Sequence, residues 1–395
     1  MFRFALILLI SLGLSSQAVA AVKWNNPTSE EEAKGLVLKN LSQISALSGL
    51  GINSMSLWSG AAHDTDPYNE NSFLNHYKNL NEYGFEHVVL VSCADWIIEL
   101  KCKKNWQTEK GILKATKLLL ENTNLHIVLQ LKAYKQKKIN GNNISVLNTK
   151  LEQDELVATN FINAWGRLAR ELKEYPASRL SFNLLNEPEF ERPKPTKSKR
   201  DTWLKIAELA ALEIRDVSPD RTILIEGIGK SLFSKRYKKN GQYKYNSPDI
   251  LLRPIDLDNV VYAFHNYEPE EFLQQGKMVK HFGKRYTKNN TNTVQKDAIK
   301  AIRWANKHQV PIIISETGCV GYLAKKEGPQ SNEDCGSFGA DIKSNYLDRK
   351  VGVSWWALEK EKTIFDRNCD KDCWMPIGEL KPNLALFKGL GLNWN

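Results

Sequence analysis

Apolar and polar positions along this chain alternate between two periods. Short apolar or β-branched runs occur at residues 52–58, 87–92, 125–131, 179–185, 222–226, 259–264, 311–315 and 351–357. Their length and composition predict strands. Between them, at 73–82, 110–121, 154–172, 203–215 and 294–307, apolar positions recur every three or four residues, as in amphipathic helices. Strand signals alternating with helix signals imply α/β architecture with a parallel sheet. Eight in one chain favour a closed (β/α)8 TIM barrel over an open sheet. No glycine-rich phosphate loop follows the first strand, which speaks against a dinucleotide-binding sheet. The helix patterns after the fifth strand and at the chain end are the faintest. No repeat or low-complexity linker divides the chain, so residues 21–395 are expected to form one barrel domain with long βα loops.

Residues 1–20 stand apart from this pattern. Arg3 precedes an apolar run at 4–14, too short for a permanent span, and Ala18-Val19-Ala20 supplies small residues for cleavage. The expectation is a signal peptide cut after Ala20, with a secreted or periplasmic product. Six cysteines suit an oxidising compartment. They fall in local pairs, Cys93 with Cys102, Cys319 with Cys335 and Cys369 with Cys373. Sequence leaves the connectivity open, and metal binding is the rival for the last pair.

The formal charge of +10 admits an anionic partner or simple solubility. No finger, RNP-like strand or helix-turn-helix signal points to nucleic acid. Lysine and arginine crowd the segments expected after strands three to six. They include Lys132, Lys135, Lys137 and Lys138, then Arg192 to Arg200, Lys235 to Lys239, and Lys277 to Arg285. In a barrel these loops share one face. They form either a positive rim for an anionic polysaccharide or an ordinary solvated surface.

Barrel chemistry belongs at the C-terminal strand ends. The fourth strand runs into Asn186-Glu187-Pro188 and the seventh into Glu316-Thr317-Gly318. Two carboxyl groups facing each other across a barrel mouth are what glycoside hydrolysis requires. The sixth strand ends in His265-Asn266-Tyr267, and alternation sends His265 and Tyr267 to the same side. Trp355 and Trp356 close the eighth strand, where an indole could floor a sugar. Both cannot face the mouth if the strand is regular. Trp58 and Trp96 follow early strands and line subsites or merely pack.

These motifs resemble glycoside hydrolase family 5, the cellulase-type barrels. The carrying segments are Phe182-Asn183-Leu184-Leu185-Asn186-Glu187-Pro188, Val261-Tyr262-Ala263-Phe264-His265-Asn266-Tyr267-Glu268-Pro269, Pro311-Ile312-Ile313-Ile314-Ser315-Glu316-Thr317-Gly318 and Gly352-Val353-Ser354-Trp355-Trp356. The resemblance implies a retaining β-glycosidase; endo action is expected, with exo action left open, and two carboxyl groups need no cofactor or metal. It assigns Glu187 as acid/base and Glu316 as nucleophile. Asn186 would bind the sugar 2-hydroxyl, His265 would support Glu187, and Tyr267 would contact Glu316. Trp356, or else Trp355, would floor the cleavage point.

Two positions depart from the family pattern. Val89 stands where an arginine beside the nucleophile is usual, and Gln130-Leu131-Lys132 replaces an Asp-x-His stretch. Lys132 is either a new site cation or a solvated loop residue. The alternatives kept open are mannan, xylan or acidic exopolysaccharide as substrate, and a non-catalytic carbohydrate-binding barrel. The chain is expected to be monomeric.

Overall fold

In the computed structural model the eight expected strands close into one parallel barrel in chain order. They are β1 (Leu50–Ser54), β2 (His87–Cys93), β3 (His126–Lys132), β4 (Leu180–Asn186), β5 (Thr222–Ser231), β6 (Val260–His265), β7 (Ile312–Thr317) and β8 (Gly352–Trp356). β1 closes the ring on β8, from Leu50 opposite Val353 to Asn53 opposite Trp356. The structure describes residues 47–54, 70–75, 77–100, 108–139, 142–188, 196–231, 237–239, 242–244, 252–273, 284–319, 332–358, 364–366 and 381–394. The expected signal peptide, Trp58, Cys102, Cys369, Cys373 and the basic residues at 192, 194, 235, 236, 277 and 280 lie outside these.

The main helices are α1 (Glu109–Asn122), α2 (Val146–Gln153), α3 (Glu155–Glu171), α4 (Lys197–Arg215), α5 (Lys288–His308), α6 (Asn332–Asn345) and α7 (Leu384–Leu390). Side-chain oxygens start several of them. Thr108 accepts the Gly111 N–H, Asp154 those of Leu156 and Val157, and Thr196 that of Lys199. On α3, Val157, Phe161, Ala164, Trp165 and Leu168 form one buried stripe at helical spacing. The helix expected over 73–82 is instead two short ones, Glu70–Asn75 and Leu80–Tyr83. Tyr77 turns inward between them, its hydroxyl 2.6 Å from Ser54 Oγ. After β5 the described residues hold a small antiparallel pair, Tyr237–Lys239 with Gln242–Lys244.

Strand alternation separates two apolar regions. Val88, Leu90, Ile127, Leu129, Ile223, Ile225, Ile312 and Ile314 face the helices. Val89, Val91, Val128, Leu224, Val261, Ala263 and Ile313 fill the barrel interior. Below this plug lie His87, His126, Ser181 and Ser354. His87 Nε2 is 2.7 Å from Ser354 Oγ, and His126 Nε2 is 2.7 Å from Ser181 Oγ. Gly51 leaves room for the first imidazole, since a Cβ there would stand 2.1 Å from the His87 ring.

Above the plug the same parity continues into polar residues: Val128 to Gln130, Leu224 to Glu226, Ala263 to His265 and Ile313 to Ser315. The period-two rule that builds the core therefore also delivers the polar layer. Cys319 and Cys335 form a disulfide joining the end of β7 to α6. Cys93 is also disulfide-bonded. No helix among the described residues is long and apolar enough to cross a membrane.

Candidate active site

Glu187 follows β4 with a left-handed backbone, φ 47°. This is a costly conformation for a residue with a Cβ. Two side chains fix it. Its N–H donates to Glu226 Oε2 at 2.8 Å, and its carbonyl accepts from Asn148 Nδ2 at 3.1 Å. Glu316 lies within β7 and is almost buried. The pairing of β6 with β7 jumps from Phe264 opposite Ile314 to His265 opposite Glu316. That irregularity sets His265 beside Glu316 instead of Ser315. Carboxylate oxygens of Glu187 and Glu316 and a ring nitrogen of His265 all lie within 4.8 Å of one another.

His265 Nδ1 is 3.0 Å from Glu187 Oε1 and 3.7 Å from Glu316 Oε2. Its Nε2 is 3.3 Å from Glu226 Oε2. Burial disfavours an imidazolium here, but the Glu316 and Glu226 charges outweigh it, and the His265 pKa lies well above its ordinary value. Tyr267 donates to Glu316 Oε1 at 2.5 Å. Burial and the Glu316 charge push its phenol well up, so it remains a donor. His265 and Tyr267 converge as alternation predicts. Asn266 points elsewhere, its amide donating to Tyr346 Oη at 2.8 Å.

Both Asn186 amide atoms are buried without a hydrogen-bond partner among the described residues. Trp356 is half-buried, with Lys132 Nζ 4.7 Å from its ring centre. Lys132 sits opposite Asn186 in the β3–β4 register, so it belongs to the mouth. Trp355 does not. Alternation turns it outward, where it is fully buried 5.9 Å from the Phe338 ring. Trp96 also packs, its Nε1 donating to the Cys93 carbonyl at 2.8 Å. Val89 lies in the apolar interior. The basic rim is partly neutralised: Lys199 pairs with Glu152, Arg200 with Asp201 and Arg285 with Asp334. Lys135, Lys137 and Lys138 are exposed.

Sequence reasoning passed over Glu226 and Tyr134. Glu226 is the acid that ends the apolar run at 222–226, the same signal that exposed Glu187 and Glu316. Tyr134 gave no such signal. Its place follows from a loop turn in which Asp95 Oδ2 accepts the N–H groups of Tyr134 and Lys135 at 3.0 and 2.7 Å. Tyr134 packs against the apolar barrel interior, and burial and then the Glu316 charge push its phenol well up. Glu187, His265 and Glu316 are also close enough to ligate a cation. A protonated imidazole has no lone pair to offer, so such binding would compete with the charge state favoured here.

A family model described as cellulase (glycosyl hydrolase family 5) matches residues 57–362. The chain belongs to that family. Endoglucanase 3 of Fibrobacter succinogenes is 27% identical over 218 residues, covering 46% of this chain and 30% of that protein. The chain thus spans less than a third of that relative's length. Among solved structures, Thermotoga maritima Cel5A in complex with mannotriose superposes with TM-score 0.61 at 18% identity, over 88% of this chain and 98% of the other. The cellulose synthase subunit Z of Clostridioides difficile gives 0.58 at 20%, over 87% and 99%. At these identities the likeness is one of fold alone.

Proposed function

We propose that this chain is an exported, retaining, endo-acting β-glycosidase that hydrolyses a β-linked glucan-type polysaccharide. The observation that carries this is the pair Glu187 and Glu316, with carboxylate oxygens within 4.8 Å and one imidazole between them. Inverting enzymes need roughly 6.5–9.5 Å between the carboxyl groups to seat a water, whereas retaining enzymes use roughly 5–5.5 Å. Family membership and the endoglucanase relative support the substrate class.

In the first step Glu316 attacks the anomeric carbon while Glu187 protonates the departing glycosidic oxygen. The glycosidic C–O bond breaks as the ester to Glu316 forms. In the second step Glu187, now a carboxylate, takes a proton from water. The water oxygen bonds the anomeric carbon and Glu316 leaves as carboxylate. Asn186 offers its amide to the sugar 2-hydroxyl, and Trp356 stacks under the ring.

A second reading rests on Lys132 over Trp356. An ammonium at the sugar floor suits a glycan carrying acidic groups.

The test is a reducing-sugar assay on neutral and acidic β-glycans, with Glu187→Gln and Glu316→Gln and NMR of the first-formed anomer. Turnover lost in both variants and a β-configured product are expected. An α product overturns the retaining mechanism. No turnover, with equal glycan binding by all three proteins, favours a binding barrel instead. Detection of the protein with residues 1–20 intact inside the cell would overturn export.

A further inference from the structure

Glu226 takes no part in bond making, yet the site is assembled around it. Its Oε1 accepts from Gln130 Nε2 at 2.9 Å, Asn183 Nδ2 at 2.9 Å and Ser315 Oγ at 3.0 Å. Its Oε2 accepts the Glu187 N–H at 2.8 Å and lies 3.3 Å from His265 Nε2. Four neighbouring strands, or the residue just past one, thus converge on one carboxylate of β5. A buried carboxylate is tolerated only when paired and hydrogen-bonded, and this one is both. Burial alone would raise its pKa, but the facing His265 charge and these donors bring it below the ordinary glutamate value.

We propose that Glu226 is a positioning residue for both reacting carboxylates: it clamps the Glu187 backbone and holds His265 as the cation those carboxylates share. The inference rests on the double-displacement reading above. In the resting site the reacting negative charge is on Glu316, 3.7 Å from His265 Nδ1. When Glu316 becomes a glycosyl ester, the charge passes to Glu187, 3.0 Å from the same nitrogen. One imidazolium therefore serves both steps without moving. Of the three carboxylates around it, Glu226 alone keeps its charge throughout. The second strand supplies no cation for this task, since Val89 is part of the hydrocarbon interior.

The charged and titratable groups around His265 come from every side of the mouth. Glu187 follows β4, Glu226 is on β5, Glu316 is on β7, and Tyr267 follows His265 itself, with ring centres 6.5 Å apart. Tyr134 packs on the barrel interior with its phenol raised by burial and then by the Glu316 charge, and Lys132 lies over Trp356. Glu226 and Glu316 are the anions that favour the imidazolium most strongly.

The test uses the full chain labelled with ¹⁵N-histidine, with His265 signals assigned by their loss in His265→Asn. Wild type is expected to show imidazolium shifts for His265 at pH 8, and Glu226→Gln neutral imidazole at the same pH. On an aryl β-glycoside, Glu226→Gln should lose about 10²-fold in kcat, the lower end for a general acid–base contribution. KM should change little, and the alkaline limb of kcat should move down by about one pH unit or more. Glu226→Asp retains the charge while shortening the clamp. It should keep the imidazolium and restore the alkaline limb, and it decides the case if the Gln variant does not fold. Identical His265 spectra in wild type and Gln variant, or a lower rate with an unshifted pH profile, overturn the proposal and leave Glu226 a packing residue. Failure of wild type to cleave any glycoside would overturn the glycosidase reading, while the NMR comparison still decides the charge of His265.

Discussion

Tyr267 donates to Glu316 at 2.5 Å, and its phenol is held protonated by burial and by the charge it serves. Such a donor stabilises Glu316 more as a departing carboxylate than as an ester. Tyr267→Phe should therefore slow breakdown of the glycosyl ester. A hydrogen bond to a charged group contributes about 1.5–3 kcal/mol, roughly 10- to 100-fold in rate. The measurement is kcat on an activated aryl glycoside, where ester hydrolysis is slow. An unchanged kcat would remove Tyr267 from the mechanism.

The barrel floor predicts a pH dependence of stability. His126 is buried, and that burial, with Arg179 and Arg221 nearby, lowers its pKa to about 4. The unfolded chain binds this proton near the ordinary value of 6.5, so it is the more protonated state between the two pH values. Stability is full above pH 6.5 and falls as pH drops toward about 4, by on the order of 3 kcal/mol. Urea midpoints from pH 7 to 4 measure this for wild type and His126→Asn. Parallel curves would show that His126 does not set the slope.

Lys132 sits 4.7 Å from the Trp356 ring centre, which places an ammonium beside the proposed sugar floor. Lys132→Met keeps the stem and removes the charge. It should reduce kcat/KM on an acidic glycan more than on a neutral one, and should flatten the salt dependence. If wild type cleaves both glycans with equal indifference to salt, the acidic-substrate reading fails.

Gly352 begins β8 against the Leu47 carbonyl. An alanine Cβ would meet that oxygen at 1.7 Å, and a backbone carbonyl cannot swing aside as a side chain can. Gly352→Ala should cost about 1–3 kcal/mol, visible as a lower melting temperature. An unchanged Tm would contradict this contact.

Periodicity made the barrel legible because each β run is buried on both faces and so reads as a short apolar block. The strand ends then located Glu187, Glu316, His265 and Tyr267 without any tertiary information. Parity also warned that Trp355 and Trp356 could not both face the mouth. It could not say which one does, since that depends on how β8 meets α6. Glu226 carried the right signal, but a third acid had no role in a two-carboxylate scheme. Tyr134 was out of reach because a loop turn pinned by Asp95 places it. The break at Tyr77 was hidden because a helix pattern and two half-helices share the same apolar spacing.

The left-handed backbone at Glu187 sets stability and chemistry at odds. Glycine takes that conformation without steric cost, but it would bring no carboxyl group to the mouth. In the proposed mechanism, a glutamate held there by Asn148 and Glu226 puts turnover ahead of durability through a single dihedral angle.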